Sequence, residues 1–176
     1  LSSSSAASDV YKRQLQAGAP ELREDSRFNR DAVSIASNYD IGLDWLSVVF
    51  EVNKSASGED GQVACEDVAL GHYQDRFVWT MQAVPGVLSV ASFSTNMRQF
   101  NEGYNEGNPK MSTVPIDPMN YAALATEVAR TPGLMRTDCS MSAVHLYLAD
   151  HKATTINKVV DTVKAFRSEQ LMSGIS

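Results

Sequence analysis

Three histidines, His72, His145 and His151, and two cysteines, Cys65 and Cys139, are the residues of this 176-residue chain with the most chemistry to offer. A zinc site needs ligands in pairs a few residues apart, so that one turn or hairpin can point both at the ion. No histidine here has a His or Cys neighbour at that spacing. His145 alternates with Val144 and Leu146, which places it on the outer face of a strand; His72 falls on a long helix and is expected to face solvent. The carboxylates Asp60, Glu66, Asp67 and Asp75 read as a solvated surface rather than an acid–base pair. The chain carries no G-x-S-x-G elbow, phosphate-binding loop or dinucleotide fingerprint, and the acids around Gly103 and Gly107 lack the offsets of a calcium loop. Asn53-Lys54-Ser55 fits a glycosylation acceptor, a tripeptide common by chance. The expectation is therefore no catalytic residue, no cofactor and no metal, and a protein that is not an enzyme.

The cysteines say more once elements are assigned. Trp45 to Val52 is rich in β-branched and aromatic residues, with Leu46, Val48, Phe50 and Val52 on one face at period two, and reads as a strand. Cys65 to Val84 reads as a helix, lined by Leu70, Tyr73, Phe77, Met81 and Val84 and stopped by Pro85-Gly86. Val87 to Phe93 is a second strand. Asn101 to Pro118, with its glycines and prolines, reads as an irregular insertion. Asn120 to Arg130 is a helix stopped before Pro132-Gly133, and Ala143 to Ala149 is a third strand. Ile156, Val159, Val160, Val163 and Phe166 make the clearest amphipathic helix. Upstream, Asp25 or Ser26 can cap a short helix carrying Ala32, Val33, Ile35, Ala36 and Tyr39.

This order predicts an α+β, ferredoxin-like split βαβ sandwich that lacks its last strand and carries an irregular insertion. The third strand should lie antiparallel between the first two, with both long helices on one face. Cys65, after the first strand, and Cys139, before the third, then fall at the same end of the sheet. A disulfide between them is the favoured reading and two separate buried thiols the other; a disulfide implies an oxidising compartment. The opposite face of the sheet, with Trp45, Val49, His145 and Tyr147, is a candidate surface for packing on another domain; the other readings are ordinary surface and a face covered by the insertion.

Composition sets outer limits. Apolar residues make up 43% of the chain, enough for a core, and the net charge of -6 disfavours nucleic-acid or polybasic membrane-surface binding. No segment has the length of apolar sequence that a membrane-spanning helix needs, and none has the apolar centre of a signal peptide. Residues 4–14, from Ser4 to Gln14, resemble the in-frame translation of a sequencing adapter, so residues 1–14 are expected to be a leader without packed structure. Residues 15–43 read as linker and short helix, and 44–176 as the domain, truncated at its C-terminal end.

Pro20-Glu21-Leu22-Arg23, Asp25-Ser26-Arg27-Phe28-Asn29, Val84-Pro85-Gly86-Val87, Asn105-Glu106-Gly107-Asn108, Asp138-Cys139 and Ala149-Asp150-His151-Lys152 together resemble the periplasmic porter domain of exporters of the resistance-nodulation-division (RND) superfamily. The nearest branch is the large-membrane-protein-like (MMPL) one, and the likeness runs from about Gly18 to Phe166. Phe28 stands where the family pattern has Tyr, and Met111 lies near a position often aromatic. The Pro-Glu-Leu-Arg entry looks more like the second large periplasmic loop than the first. The resemblance implies a segment in the periplasm of a bacterial inner-membrane, proton-driven efflux protein. Its partners would be the membrane helices and second porter domain of its parent transporter, and a lipid or amphiphilic small molecule. The family's proton-relay residues lie in membrane helices, so none carries over. The other reading is a free-standing periplasmic binding or protein-interaction domain.

Overall fold

The computed structural model describes residues 23, 25–39, 44–51, 67–136 and 138–169 (residue 36 by its backbone only). In chain order the elements are α1 (Arg27–Asn38), β1 (Asp44–Glu51), α2 (Val68–Gln82), β2 (Val87–Ser92), α3 (Phe93–Tyr104), a 3-10 turn (Pro109–Met111), α4 (Pro118–Val128), β3 (Met141–Leu148) and α5 (Ala153–Glu169). The sheet order is β1-β3-β2, and β3 is antiparallel to both neighbours. The expected mixed α+β, split βαβ-type arrangement is therefore present.

Alternation along β3 explains why it sits in the middle. Ser142, Val144, Leu146 and Leu148 are buried, while Met141, Ala143, His145 and Tyr147 are half-buried on the other face. In β1, Leu46, Val48 and Phe50 point the same way as the buried set. Against this inner face α2 lays Tyr73, Phe77, Val78 and Met81, and α5 lays Val159 and Phe166. Phe77 meets Phe50 edge-on at 5.1 Å and Phe166 at 5.2 Å. Each fully buried ring or branched chain contributes about 1.5–3 kcal/mol through removal of apolar surface from water.

Local chemistry sets the ends of the elements. The helix expected from Cys65 starts at Val68, because the Asp67 carboxylate accepts hydrogen bonds from the Ala69 and Leu70 N–H groups at 2.8 and 3.4 Å. Asp67 is thus a helix cap, not only a solvated charge. After α2 the chain reverses through Gly86, at φ +102°, where an added Cβ would lie 2.7 Å from Thr155 Cγ2. Gly86 O accepts the Ala149 N–H at 2.9 Å, tying the β2 entry to the exit of β3. There Asp150 Oδ1 accepts from Thr155 Oγ1 at 2.6 Å and from the Lys152 N–H at 3.1 Å. Burial raises the Asp150 pKa, but these bonds and the Lys152 charge outweigh it, so the carboxyl lies below its usual range. Its contribution to stability is present above the unfolded value and lost as pH falls through the lowered one.

The region expected to be irregular is more ordered than its Gly and Pro content suggests. Ser92 is both the last residue of β2 and the N-cap of α3: its hydroxyl accepts the Thr95 N–H, and Thr95 Oγ1 accepts the Ser92 N–H. This reciprocal cap lets helix follow strand without a loop. Helix α3 then packs Phe93 and Met97 against Tyr121, Leu124, Ala125 and Val128 of α4, with Val114 between, as a second small core. Pro118 serves as the first residue of α4, where its missing N–H costs nothing. No helix among the described residues is long and apolar enough to cross a membrane.

Gly71 is where the second core meets α2. A Cβ there would stand 2.3 Å from the Tyr121 hydroxyl and 2.6 Å from its ring, and Tyr121 is 1% exposed. Tyr121 cannot swing away, so Gly71→Ala should cost about 1–3 kcal/mol by overpacking, despite the better helix propensity of Ala. Gly103 has nothing within 4 Å of the same construction, and Gly103→Ala should be neutral or slightly stabilising. Urea unfolding of the two variants checks this; a midpoint for Gly71→Ala at or above that of the native chain would contradict the packing argument.

Candidate interaction face

The helices cover one face of the sheet, and the other is built from the alternate residues. Register places Trp45 opposite Tyr147, Ser47 opposite His145 and Val49 opposite Ala143; on the far side of β3, Ser89 and Ala91 lie opposite Tyr147 and His145. Trp45 is 58% exposed and Val49 47%, while His145 and Tyr147 are half-buried. The four residues named from sequence as a packing face are thus brought together on one open surface. Leu88, beside the irregularity between Val87 and Ser89, adds a further exposed apolar side chain.

His145 is held on three sides. Its Nε2 lies 3.1 Å from the carbonyl oxygen of Gly133, an acceptor only, so Nε2 carries a proton. Nδ1 is 2.7 Å from Ser47 Oγ, and in the neutral ring it accepts the hydroxyl proton. Trp45 meets the ring edge-on, centroids 5.0 Å apart at 80°. With both nitrogens engaged, the imidazole clamps the Gly133 turn to the sheet and stiffens the face.

The remaining ionisable groups are dispersed. His151 Nδ1 is 3.6 Å from Asp44 Oδ1 at the surface. Among the described residues no cluster of three or more His, Cys, Asp or Glu could hold a metal. His72, expected to face solvent, is half-buried, and its Nε2 is enclosed without a hydrogen-bond partner. Helix α3, which the sequence reading missed, packs beside α2. Its Arg98 bridges to Asp75 at 3.4 Å, with 13% and 17% of the two side chains exposed, and stacks over Trp79 at 4.9 Å.

Gln74 is a second residue that sequence reasoning passed over. It is buried, donates to Ser142 Oγ at 2.7 Å and accepts the Ser94 N–H at 3.1 Å. Ser142 on the inward phase of β3 was the available signal, since a polar residue there requires a partner. These bonds join β3, α2 and the start of α3 and satisfy buried polar groups.

Cys139 is disulfide-bonded. Cys65, the one other cysteine of the chain, lies outside the described residues, as do Val52, Asp60, Glu66 and the leader 1–14. The chain matches no protein-family model, no curated protein and no solved structure.

Two measurements follow from these groups. Reducing the protein should lower its stability by about 2–4 kcal/mol, the usual contribution of a disulfide. Cys139→Ser should reproduce that loss and make the chain insensitive to reductant, and a reductant-independent unfolding midpoint in the native chain would refute the role of the bridge. Burial raises the Asp75 pKa against the opposing pulls of Arg98, a Trp79 hydrogen bond and His72. A raised folded pKa means that stability from the protonated carboxyl is present below the unfolded value of 3.8 and lost as pH rises through the folded one. The stability of the native chain relative to Asp75→Asn should therefore fall with rising pH just above 3.8. Chemical unfolding across that window reads the slope, and a rising difference would reverse the assignment.

Proposed function

We propose that the chain is a periplasmic porter domain of a proton-driven exporter of the RND superfamily, MMPL branch. In this role it forms, with a second porter domain, a cleft around a lipid or other amphiphilic substrate. The observation that carries the reading is the one-sided sheet. Helices α2 and α5 bury one face, and the other presents Trp45, Val49, His145 and Tyr147, held stiff by the Ser47–His145–Gly133 bonds. Such a face, with the rings of Trp45 and Tyr147 beside Val49, suits a partner domain or the apolar part of an amphiphile. The ordered motifs from Pro20 to Lys152 and the bonded state of Cys139, which fits an oxidising compartment, support the same reading.

Recovery of the flanking genomic sequence tests the transporter assignment. Membrane-spanning helices should be encoded on both sides; a stop codon directly downstream and a secretory signal directly upstream would instead leave a free-standing binding domain. The face can be tested on the chain itself. With Trp79→Phe, Trp45 becomes the sole tryptophan, and monomeric lysophosphatidylcholine should shift its emission to the blue in a saturable way. Tyr147→Asp should abolish the shift with an unchanged far-ultraviolet circular dichroism spectrum. No shift at saturation, or an equal shift in the Tyr147→Asp variant, would remove this face from the substrate path.

A further inference from the structure

Two unpartnered apolar surfaces lie next to each other along the chain. One is the open face of the sheet. The other is α1, where Phe28, Ala32 and Ile35 share one side, Tyr39 follows at the C-cap, and Arg30, Ser34 and Ser37 lie on the other side. Phe28, Ile35 and Tyr39 are exposed, as are Trp45 and Val49. A helix this short is marginal in water unless its apolar side is packed, so α1 needs a surface to cover that side.

The place of α1 in the chain says which surface. Four residues separate Tyr39 from Asp44, within the about two to six usual between a helix and an adjoining strand. The inner face of the sheet is taken by α2 and α5. A helix that folds back over the other face from so short a connection runs antiparallel to β1, with Tyr39 over the Trp45 end and Arg27 toward the Glu51 end. Its 12 residues span about 18 Å and the 8 of β1 about 27 Å, so the helix fits within the strand. The charges agree with this direction. Among the described outward positions of the three strands, Glu51 holds the one carboxylate. The first turn of α1 has no acidic residue to meet the partial positive charge of its free N–H groups, and Glu51 supplies one. Arg27, which bridges Asp31 at 3.5 Å, stands at that same end.

We propose that α1 docks on the open face of its own sheet, its apolar side over Trp45, Val49 and Tyr147 and its N-terminus beside Glu51. The docked helix turns two layers into three. The short connection holds α1 at an effective concentration on the order of millimolar for its own sheet, which a second copy matches only at millimolar protein. The docking does not depend on the transport reading. Its consequence, that a substrate must displace α1 to reach the face, rests on that reading and makes α1 a competitor for the site.

The test uses the full chain with Trp79→Phe, which leaves Trp45 as the sole tryptophan, and reads its cover by acrylamide quenching. Phe28→Asp with Ile35→Asp shifts the population to the undocked helix and should raise the quenching constant about twofold or more, with the β3 amides still protected from exchange. From the other side, Trp45→Ser with Val49→Ser should speed exchange of the α1 amides by roughly tenfold. Equal quenching with and without the α1 substitutions, or α1 exchange indifferent to the sheet substitutions, would overturn the docking. So would shielding of Trp45 that appears only as protein concentration rises, with a dimer in sedimentation. Monomeric lysophosphatidylcholine should bind the chain with Phe28→Asp and Ile35→Asp several-fold more tightly, and equal affinity would refute the competition. Binding to neither chain, with the quenching difference intact, would remove the substrate reading and leave the docking standing.

Discussion

The fold depends on β3 being inserted between two strands that precede it in sequence. Neither β1 nor β2 touches the other, so the sheet exists only once Met141–Leu148 has paired with Asp44–Glu51 on one side and with Val87–Ser92 on the other. The inner residues Val144, Leu146 and Leu148 are then sealed by α2 and α5. These contacts are long-range, so the chain-closure entropy must be met before hydrophobic burial returns anything. The bonded state of Cys139, two residues before β3, bears on that constraint, since a cross-link shortens the search by which β3 finds its place.

Helix α2 serves two cores. Its Tyr73, Phe77, Val78 and Met81 close the main one, while Gly71 lets the ring of Tyr121 approach from the second. Between them Gln74 bonds Ser142 on β3 and the Ser94 amide of α3. On the outside, Asp75 and Trp79 hold Arg98. The segment between β2 and β3 is therefore a small helical layer locked onto one side of α2. On the opposite face Trp45 and Val49 stay exposed among the described residues, which excludes the insertion as their cover.

Much of this was legible in sequence where period and chemistry agreed. The alternation of Leu46-Val48-Phe50 and of Val144-Leu146-Leu148 gave two strands, and the stripes through Phe77 and Val159 gave the two helices and their common face. Helix α3 was not legible, because Ser94, Thr95 and Asn96 are poor helix formers and the glycines and prolines after it suggest loop. Its start is set by the Ser92–Thr95 cap, and its stability by contact with α4, a tertiary effect that local propensity does not encode. The open face was legible as a list of residues, but the clamp on His145 was not, since Gly133 lies twelve positions away in a turn whose direction depends on the fold.

The exposed apolar side chains then fall into two groups with different physical meaning. Trp45 and Val49 stand on a sheet whose register is fixed by burial on the other face, so their relative positions are preorganised. Phe28, Val33 and Ile35 stand on α1, a helix with no described buried side chain, and Tyr39 caps its C-terminal end. An isolated helix of that length is marginal in water without tertiary contacts, and the Ser26 cap adds only about 1 kcal/mol. A preorganised apolar surface binds without an ordering cost, whereas α1 must be ordered by whatever it meets. The sheet face is for that reason the better recognition element, and α1 the segment whose conformation should respond to a neighbour.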